Sequence, residues 1–295
     1  MRILVGLMRR QKITITVAAP LSLILLRTDT EGSRTVIKPN CDFKGSRIRK
    51  DYFCRLTDRR GSLRNFEHSK MFVIGVSGVT CGGKTTLSQL LQRSFPWCRV
   101  IYQDSYFFDD DDPRHVRLEE VDHVNYEILS ALNMEQMEKD VVTTLQEDQP
   151  ILGTNGDGYD APNFETSGKE LLDNVQDIGF DTSKYRKVPI LLLEGFTIFG
   201  SELLFDKCDA RFFLTLTKQE CYERRSKRTT YIPPDTPGYF EKCIWPEFTA
   251  HYESCIANNP GIQVFNGTTP LESVWKESVE MIAADMEKKF PQLIL

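Results

Sequence analysis

The residues with the clearest chemistry form a glycine-rich octet at positions 78–85, which reads Gly-Val-Thr-Cys-Gly-Gly-Lys-Thr. It matches the phosphate-binding pattern G-x-x-x-x-G-K-[ST] at every fixed position. Backbone N–H groups of such a loop surround phosphate oxygens, while Lys84 adds a charge for the terminal phosphates and the Thr85 hydroxyl ligates Mg²⁺. We therefore predict that ATP and Mg²⁺ bind to Gly78, Val79, Thr80, Cys81, Gly82, Gly83, Lys84, Thr85 and Thr86.

A second candidate site follows the predicted strand 99–102, where the sequence continues Gln-Asp-Ser-Tyr-Phe-Phe. Asp104 is expected at the carboxyl end of this strand, where ligands collect in open α/β sheets. There it can accept a proton from a substrate hydroxyl and complete the Mg²⁺ shell. The competing interpretation is a helix-capping aspartate beside core aromatic residues.

A third candidate is Glu194, which ends the apolar run 189–193 and precedes Gly195. An apolar strand that ends in an acid has the form of a Walker B element, here with Glu in the usual place of Asp. This position would bring Glu194 near the metal and the reacting groups. Lys84, Asp104 and Glu194 are therefore the predicted catalytic residues, and the alternative for Glu194 is an acid that merely ends a strand.

Cations cluster in the segment Arg224-Arg-Ser-Lys-Arg228. On a predicted helix at 218–228, Arg224 and Arg228 lie one turn apart on one face, whereas Arg225 points aside. The three side chains would then serve two different ligands. A solvated basic helix is the ordinary alternative, but within an acidic domain we favour a lid over the phosphates.

The elements around these residues alternate between strands and helices. Short β-branched or apolar runs predict five strands, and apolar residues at helical spacing predict the helices. The strands are at 71–77, 99–102, 189–193, 211–216 and 262–265, and the helices are at 85–95, 127–145, 218–228 and 271–286. This alternation predicts an α/β fold of the P-loop NTPase type, with three layers (α/β/α) around a central, mostly parallel, five-stranded sheet.

Charge is unevenly distributed along the 295 residues. Residues 1–70 hold 16 Lys and Arg against 6 Asp and Glu, whereas residues 71–295 hold 21 against 36. The acidic part argues against a broad nucleic-acid-binding face, which requires clustered cations, and favours a small-molecule enzyme. The eight cysteines form no C-x-x-C pair. This pattern indicates reduced thiols and a cytoplasmic location.

Residues 1–70 are predicted to be a basic extension, either disordered or targeting, before a P-loop domain at 71–290. Four basic residues precede an apolar stretch at 13–26, which is short for a membrane span and contains Pro20. We expect no stable membrane span. The stretch resembles a presequence, which would make the protein mitochondrial, and the alternative is a non-essential extension.

Residues 147–187 are polar and rich in Gly, Asp and Asn. An insertion of this length without periodicity is either a disordered surface loop or a functional flap, and its composition favours the loop. These patterns do not specify an oligomeric state.

Together, several of these segments resemble the nicotinamide riboside kinase family, which is related to uridine and pantothenate kinases. The resemblance rests on the phosphate loop, the Asp104 segment and four further motifs. These are Tyr126-Glu-Ile-Leu-Ser-Ala-Leu-Asn-Met134, Pro189-Ile-Leu-Leu-Leu-Glu-Gly-Phe196, Arg224-Arg-Ser-Lys-Arg228 and Pro233-Pro-Asp-Thr-Pro-Gly-Tyr-Phe240. The resemblance spans most of residues 71–285, and the proline-rich block makes it more specific than a phosphate loop alone.

The resemblance implies transfer of the ATP γ-phosphate to the 5′-hydroxyl of nicotinamide riboside, and of nicotinic acid riboside, for NAD synthesis. Asp104 would be the base and a metal-shell residue, and the pyridine ring would lie between Phe107 and Tyr126 through stacking and cation–π contact. The substrate residues that it implies are Asp104, Ser105, Tyr106, Phe107, Tyr126, Glu127 and Arg225. The nucleotide residues beyond the phosphate loop are Arg224, Arg228, Gly267 and Thr268.

Glu127 departs from the family pattern, which has an Asp that holds the ribose hydroxyls. Its extra methylene group keeps the carboxylate chemistry but changes the reach of the side chain. Two other functions remain open. A uridine or pantothenate kinase would use the same phosphate machinery with another acceptor, and a non-catalytic nucleotide-binding protein would bind without transfer, although intact Lys84, Asp104 and Glu194 argue against the latter.

Overall fold

The computed structural model describes residues 16–19, 22–31, 34–39, 70–147, 181–257, 259 and 261–294. The chain divides into two compact units, Met1–His68 and Ser69–Leu295. The first contains an antiparallel three-stranded sheet, which the sequence analysis did not predict, made of β1 (Thr16–Ala19), β2 (Ser22–Glu31) and β3 (Arg34–Pro39). The targeting or dispensable role of residues 1–70 stays a prediction. No helix of the described residues is long and apolar enough to cross a bilayer.

The second unit is built on a parallel sheet of five strands. These are β4 (Phe72–Gly78), β5 (Arg99–Tyr102), β8 (Ile190–Glu194), β9 (Ala210–Thr215) and β10 (Gln263–Asn266). Their spatial order is β10-β9-β4-β8-β5, and every neighbouring pair is parallel. All residues of the central β4 and β8 are buried, as expected for parallel strands that are covered on both faces.

Helices cover both faces of this sheet. Their bounds are α1 (Lys84–Ser94), α2 (Met134–Gln146), α3 (Glu202–Lys207), α4 (Lys218–Ser226), α5 (Trp245–His251) and α6 (Leu271–Lys289). One core cluster contains Leu87 and Leu90 of α1 with Trp275 and Ile282 of α6. A second cluster contains Met137 of α2, along with residues of α3. The predicted three-layer α/β/α fold is therefore confirmed.

Shorter elements connect these layers. A two-residue pair of antiparallel strands, β6 (Arg117–Leu118) and β7 (His123–Val124), lies between β5 and α2. Turns of 3₁₀ helix are at Gln103–Tyr106, Glu119–Val121, Leu129–Ala131, Ser183–Tyr185, Ile198–Gly200 and Pro291–Leu293. Two π-helical turns, Phe240–Ile244 and Tyr252–Ile256, flank α5.

Two predicted helices have different bounds in the structure. The helix predicted to start at residue 127 starts at Met134, after the Asn133 side chain accepts the Gln136 N–H as a cap. Ile128 and Leu132, the apolar residues before it, have extended backbones on either side of the 3₁₀ turn Leu129–Ala131, so their helical spacing does not mark a helix. The helix predicted to run to residue 228 ends at Ser226, which changes the direction of Arg228.

Most of the predicted insertion, residues 148–180, lies outside the described residues, so the loop interpretation there stays a prediction. The following residues, 181–187, form part of the domain. Tyr185 is 1% exposed within the core cluster of α1 and α6, and its hydroxyl donates to Glu287 of α6 at 2.8 Å.

Because the second unit has its own core, a protein that begins at Ser69 should fold without the residues before it. We expect a single cooperative thermal transition in circular dichroism, with a Tm within about 3 °C of that of the full chain, which corresponds to about 1 kcal/mol for a unit of this size. A fragment that is unfolded at 25 °C would contradict this division.

Candidate active site

The register of three neighbouring strands brings the predicted catalytic residues to one edge of the sheet. Glu194, the last residue of β8, is paired with Val76 of β4 on one side and with Tyr102 of β5 on the other. The phosphate loop begins two residues after Val76, and Asp104 lies two residues after Tyr102. The loop and Asp104 therefore emerge on opposite sides of Glu194, at the carboxyl ends of the strands, where ligands bind in open α/β sheets.

The phosphate loop has a backbone that requires glycine at two positions. Gly78 has φ 146° and a Cβ there would lie 2.2 Å from the backbone oxygen of Leu214, while Gly83, which precedes α1, has φ 94°. Cys81 also has a positive φ of 56°. The loop leads into the N-terminus of α1, whose unpaired N–H groups and positive dipole end favour an anion.

Lys84 and Thr85 occupy the first turn of α1 and face the loop and the strand edge. The Lys84 ammonium group donates to the backbone oxygen of Val79 at 3.0 Å, within the curve of the loop. The Thr85 hydroxyl donates to Glu194 Oε2 at 3.4 Å. A cation, a hydroxyl and a carboxylate therefore converge beside the position predicted for phosphate.

Asp104 and Glu194 form an electrostatically coupled pair in this cleft. Burial, followed by the charge of Asp104, raises the pKa of Glu194 to about 7, although Lys84, Thr85 and Arg228 act against the shift. Burial also raises the pKa of Asp104, against the attraction of Lys84 and Arg228. Glu194 is 5% exposed, whereas Asp104 is accessible to solvent although surrounding protein atoms reduce the hydration of its carboxyl group. A cation bound near two acids in one cleft stabilises their ionised forms.

Gln103 fixes the position of Asp104 relative to β8. Its side chain is fully buried, and its amide oxygen accepts the backbone N–H and the hydroxyl of Thr197 at 3.0 and 3.3 Å. A Cβ at Gly195 would lie 2.4 Å from the Gln103 side chain. The close contact between the two strand ends therefore requires glycine at position 195.

The three arginines are distributed differently from the prediction. Arg224 joins the phosphate loop to the turn after β10, because it donates to the backbone oxygens of Cys81 at 3.2 Å and Gly267 at 3.0 Å. Arg225 and Arg228 instead share the ring of Tyr231, at 4.1 and 4.7 Å from its centre. The prediction that Arg224 and Arg228 lie on one helix face was wrong, since α4 ends at Ser226.

Phe107 and Tyr126 are neighbours, with ring centres 5.8 Å apart and planes at 83°. Phe107 also stacks on Phe196 at 5.9 Å. Since the two rings are perpendicular, a planar ligand can lie between them only after one ring rotates. The Tyr126 hydroxyl donates to Asp110 at 2.8 Å, and burial, followed by Asp110, raises the pKa of Tyr126 to about 12.

The remaining predicted site residues lie in the segment after Asp104 and in the turn after β10. The Tyr106 hydroxyl donates to Asp140 of α2 at 3.0 Å, so this side chain also ties the Asp104 segment to the helix. Ser105 is exposed. Gly267 lies against the phosphate loop, because a Cβ there would be 2.9 Å from the oxygen of Gly82. Thr268 donates its N–H and hydroxyl to Asn266 within the same turn.

Sequence reasoning missed several residues that the fold brings to the cleft. Tyr231 lies over the phosphate loop, with its hydroxyl 3.1 Å from the Thr80 hydroxyl. His115 approaches Tyr126, with ring centres 5.2 Å apart. Asp110 belongs to the acidic run 109–112, whose composition is typical of a solvated loop. The proline-rich block 233–240 was recognised as a motif, but its spacing alone does not indicate which side chain it approaches.

A separate cavity of about 370 Å³ lies at the opposite edge of the sheet. It is lined by Met71, Arg99 and Pro189 among others, which start or immediately precede β4, β5 and β8. Its position separates it from the convergence of Lys84, Asp104 and Glu194.

Curated proteins of known activity resemble the chain over most of the second unit. It is 33% identical over 220 residues to nicotinamide riboside kinase 1 of Mus musculus, which covers 75% of this chain and 98% of the relative. It is 32% identical over 210 residues to nicotinamide riboside kinase 2 of Homo sapiens, with 71% and 80% covered. The chain belongs to the nicotinamide riboside kinase family. The predicted family, and with it the class of phosphotransferases, is therefore confirmed.

Other proteins resemble the chain over a smaller share of its length or at lower identity. A uridine kinase of Streptococcus pyogenes is 29% identical over 164 residues, which cover 54% of this chain and 68% of the relative. No protein-family model matches the chain. A gluconokinase structure from Sinorhizobium meliloti aligns over 76% of this chain and 98% of its own, at 12% identity and a TM-score of 0.34, which is too low to bear on the fold.

The raised pKa of Glu194 leads to a prediction for stability. Because this pKa rises from 4.5 to about 7 on folding, the folded protein retains a proton that the unfolded chain releases, and stability falls as pH rises through this window. Glu194→Gln should therefore raise the free energy of unfolding of the nucleotide-free protein by about 1–3 kcal/mol at pH 8, and by much less at pH 5. Thermal unfolding at the two pH values measures the difference.

The matched control is Glu287→Gln on the surface of α6. Lys184 and Tyr185 lower the pKa of Glu287, so its replacement should not stabilise the protein at pH 8. Equal stabilisation by Glu194→Gln at pH 5 and pH 8 would show that the carboxylate charge of Glu194 is not the cause.

Proposed function

We propose that this protein transfers the γ-phosphate of ATP to the 5′-hydroxyl of nicotinamide riboside, and also of nicotinic acid riboside. The observation that carries the proposal is the convergence of the phosphate loop, Glu194 and Asp104 at one edge of the sheet, next to an aromatic pocket. Membership in the nicotinamide riboside kinase family supports the choice of acceptor.

The residues present fit Mg²⁺. Magnesium prefers oxygen ligands and uses one or two carboxylates together with substrate phosphates. Thr85 offers a hydroxyl, Asp104 a carboxylate, and Glu194 accepts the Thr85 hydroxyl at 3.4 Å. Burial raises the pKa values of both acids, with the charge of Asp104 adding to the shift at Glu194, and a bound cation would favour their ionised forms. Within the described residues no group of three or more acidic, His or Cys side chains forms a metal cage. When bound, Mg²⁺ would neutralise charge on the transferred phosphoryl group.

The chain's own residues would then perform three tasks. Backbone N–H groups of the phosphate loop and the α1 N-terminus hold the phosphates, and Lys84 and Arg228 supply positive charge near the transferred group. Asp104 accepts the proton of the acceptor hydroxyl at its carboxylate, and its raised pKa makes it a stronger base than an aspartate of ordinary pKa. Arg224 keeps the loop and the turn at Gly267 together on the nucleotide side.

The aromatic residues that follow Asp104 suit a cationic aromatic ring. Phe107 and Tyr126 can both present a face to such a ring once one of them rotates, and Asp110 places a negative charge at the Tyr126 hydroxyl. The aromatic rings stabilise a bound pyridinium ring by cation–π contact, and the Asp110 charge stabilises it by electrostatic attraction. Uracil is neutral, so only stacking would stabilise its binding. These contacts therefore favour nicotinamide riboside over uridine.

The direct test is an acceptor comparison with the purified protein, ATP and Mg²⁺. We expect kcat/KM for nicotinamide riboside to exceed that for uridine and for pantothenate by at least about 100-fold, or about 3 kcal/mol of transition-state binding. Nicotinic acid riboside should also be phosphorylated. Phosphorylation of uridine or pantothenate alone would refute the acceptor assignment, and turnover of no acceptor would favour a non-catalytic nucleotide-binding protein.

The role of Asp104 as general base can be tested by substitution. Asp104→Asn should lower kcat by about 10²–10⁴-fold, the usual contribution of general base catalysis, while the Kd for ATP without metal changes by less than about threefold. Steady-state kinetics and nucleotide titration separate the two effects. Asp285→Asn, on the surface of α6 and paired with Lys288, is the matched control. A variant Asp104→Asn with full kcat would remove Asp104 from the chemistry.

A further inference from the structure

The proline-rich block 233–240 has no role in the site described so far. Its Asp235 forms a two-pronged ion pair with Arg225: Arg225 Nε donates to Oδ2 at 2.6 Å, and Arg225 Nη2 donates to Oδ1 at 2.9 Å. Such a paired contact fixes both the position and the plane of a guanidinium group. The Arg225 side chain is 7% exposed and the Asp235 side chain 28% exposed, so solvent screens this contact only in part.

The plane that Asp235 sets determines where the third nitrogen points. Arg225 Nη1 donates to the Thr80 hydroxyl at 2.9 Å and to Glu127 Oε1 at 3.3 Å. The ring of Tyr231 covers the guanidinium group at 4.1 Å. Arg225 therefore joins the proline-rich block to Glu127, the carboxylate at the acceptor side of the cleft.

Charge explains why Glu127 depends on this arrangement. Burial raises the pKa of Glu127, and the opposing effect of Arg225 is the largest one that favours its ionised form. A buried carboxylate that loses the aligned donor of its cationic partner is strongly destabilised in its charged form. Rotation of the Arg225 guanidinium would leave Glu127 without that donor.

We propose that Asp235 is a positioning residue for the acceptor: it holds Arg225 so that Nη1 aligns the Glu127 carboxylate with the sugar hydroxyls of the nucleoside. This inference rests on the proposed function, since it assigns Glu127 to the acceptor. Asp235 acts through Arg225 and does not itself touch the reacting atoms. The phosphate loop depends less on Asp235, because Thr80 is also in hydrogen-bond contact with the Tyr231 hydroxyl at 3.1 Å.

The kinetic test compares Asp235→Asn with the wild-type protein. We expect the KM for the nucleoside to rise at least about tenfold, with the KM for ATP changed by less than about threefold, because the lost alignment concerns one ligand. Asp235→Glu keeps the charge and should recover part of the loss. Asp285→Asn should leave both KM values unchanged. An equal rise in both KM values for Asp235→Asn would indicate a general structural effect and overturn the proposal.

A double-mutant cycle tests whether Asp235 acts through Glu127. The single variants are Asp235→Asn and Glu127→Gln, and their effects on the nucleoside KM should be strongly non-additive, because Glu127→Gln already removes the group that Asp235 aligns. We expect the double variant to fall at least about fivefold short of the product of the two single effects. Effects that multiply within twofold would overturn the proposal.

A third measurement does not depend on catalysis. In ¹⁵N-edited NMR spectra, the Nε–H signal of Arg225, assigned by its loss in Arg225→Lys, should exchange slowly in the wild-type protein and in Asp285→Asn, and should be lost to fast exchange in Asp235→Asn. Persistence of the slow signal in Asp235→Asn would overturn the positioning role. If the wild-type protein phosphorylates no riboside while this signal behaves as expected, the proposed function fails, the acceptor role of Asp235 fails with it, and only the Asp235–Arg225 pairing stands.

Discussion

The structure of the cleft depends on the balance between carboxylates that lose hydration and the cations around them. Loss of hydration raises the pKa values of Asp104, Glu194 and Glu127, and Lys84 or Arg225 opposes each shift. Poorly hydrated charges of this kind persist only where their partners are held in place. The strand register, the capped helices and the close glycine contacts hold those partners, and they do so at the edge where the phosphate loop begins.

This balance also connects parts of the chain that are far apart in sequence. Arg225 contacts Thr80 of the phosphate loop, Glu127, and Asp235 of the proline-rich block. Arg224 ties the same loop to the turn after β10. Adjacent residues of α4 therefore join these segments of the cleft, and the capping box of Thr217 and Glu220 stabilises the first turn of this helix.

Much of the fold was predictable because its signals are local. The run before Gly78, the run before Glu194 and the apolar spacing of α1 each reflect burial of one element, and a parallel sheet follows from their alternation. The start of α2 was not predictable from apolar spacing, because Ile128 and Leu132 are spaced as in a helix but have extended backbones on either side of a 3₁₀ turn. The end of α4 at Ser226 was also missed, and with it the position of Arg228.

The sequence by itself determined the phosphate loop, the order of the elements and the family, since each is carried by residue types at fixed short spacing. Only the tertiary structure decided which polar side chains meet: Asp235 with Arg225, Tyr231 with Thr80, and Asp110 with Tyr126. These contacts join segments 10 to 151 residues apart. Electrostatic and hydrogen-bond partners are set by distance in space, and spacing along the chain does not specify that distance once the chain has turned between elements.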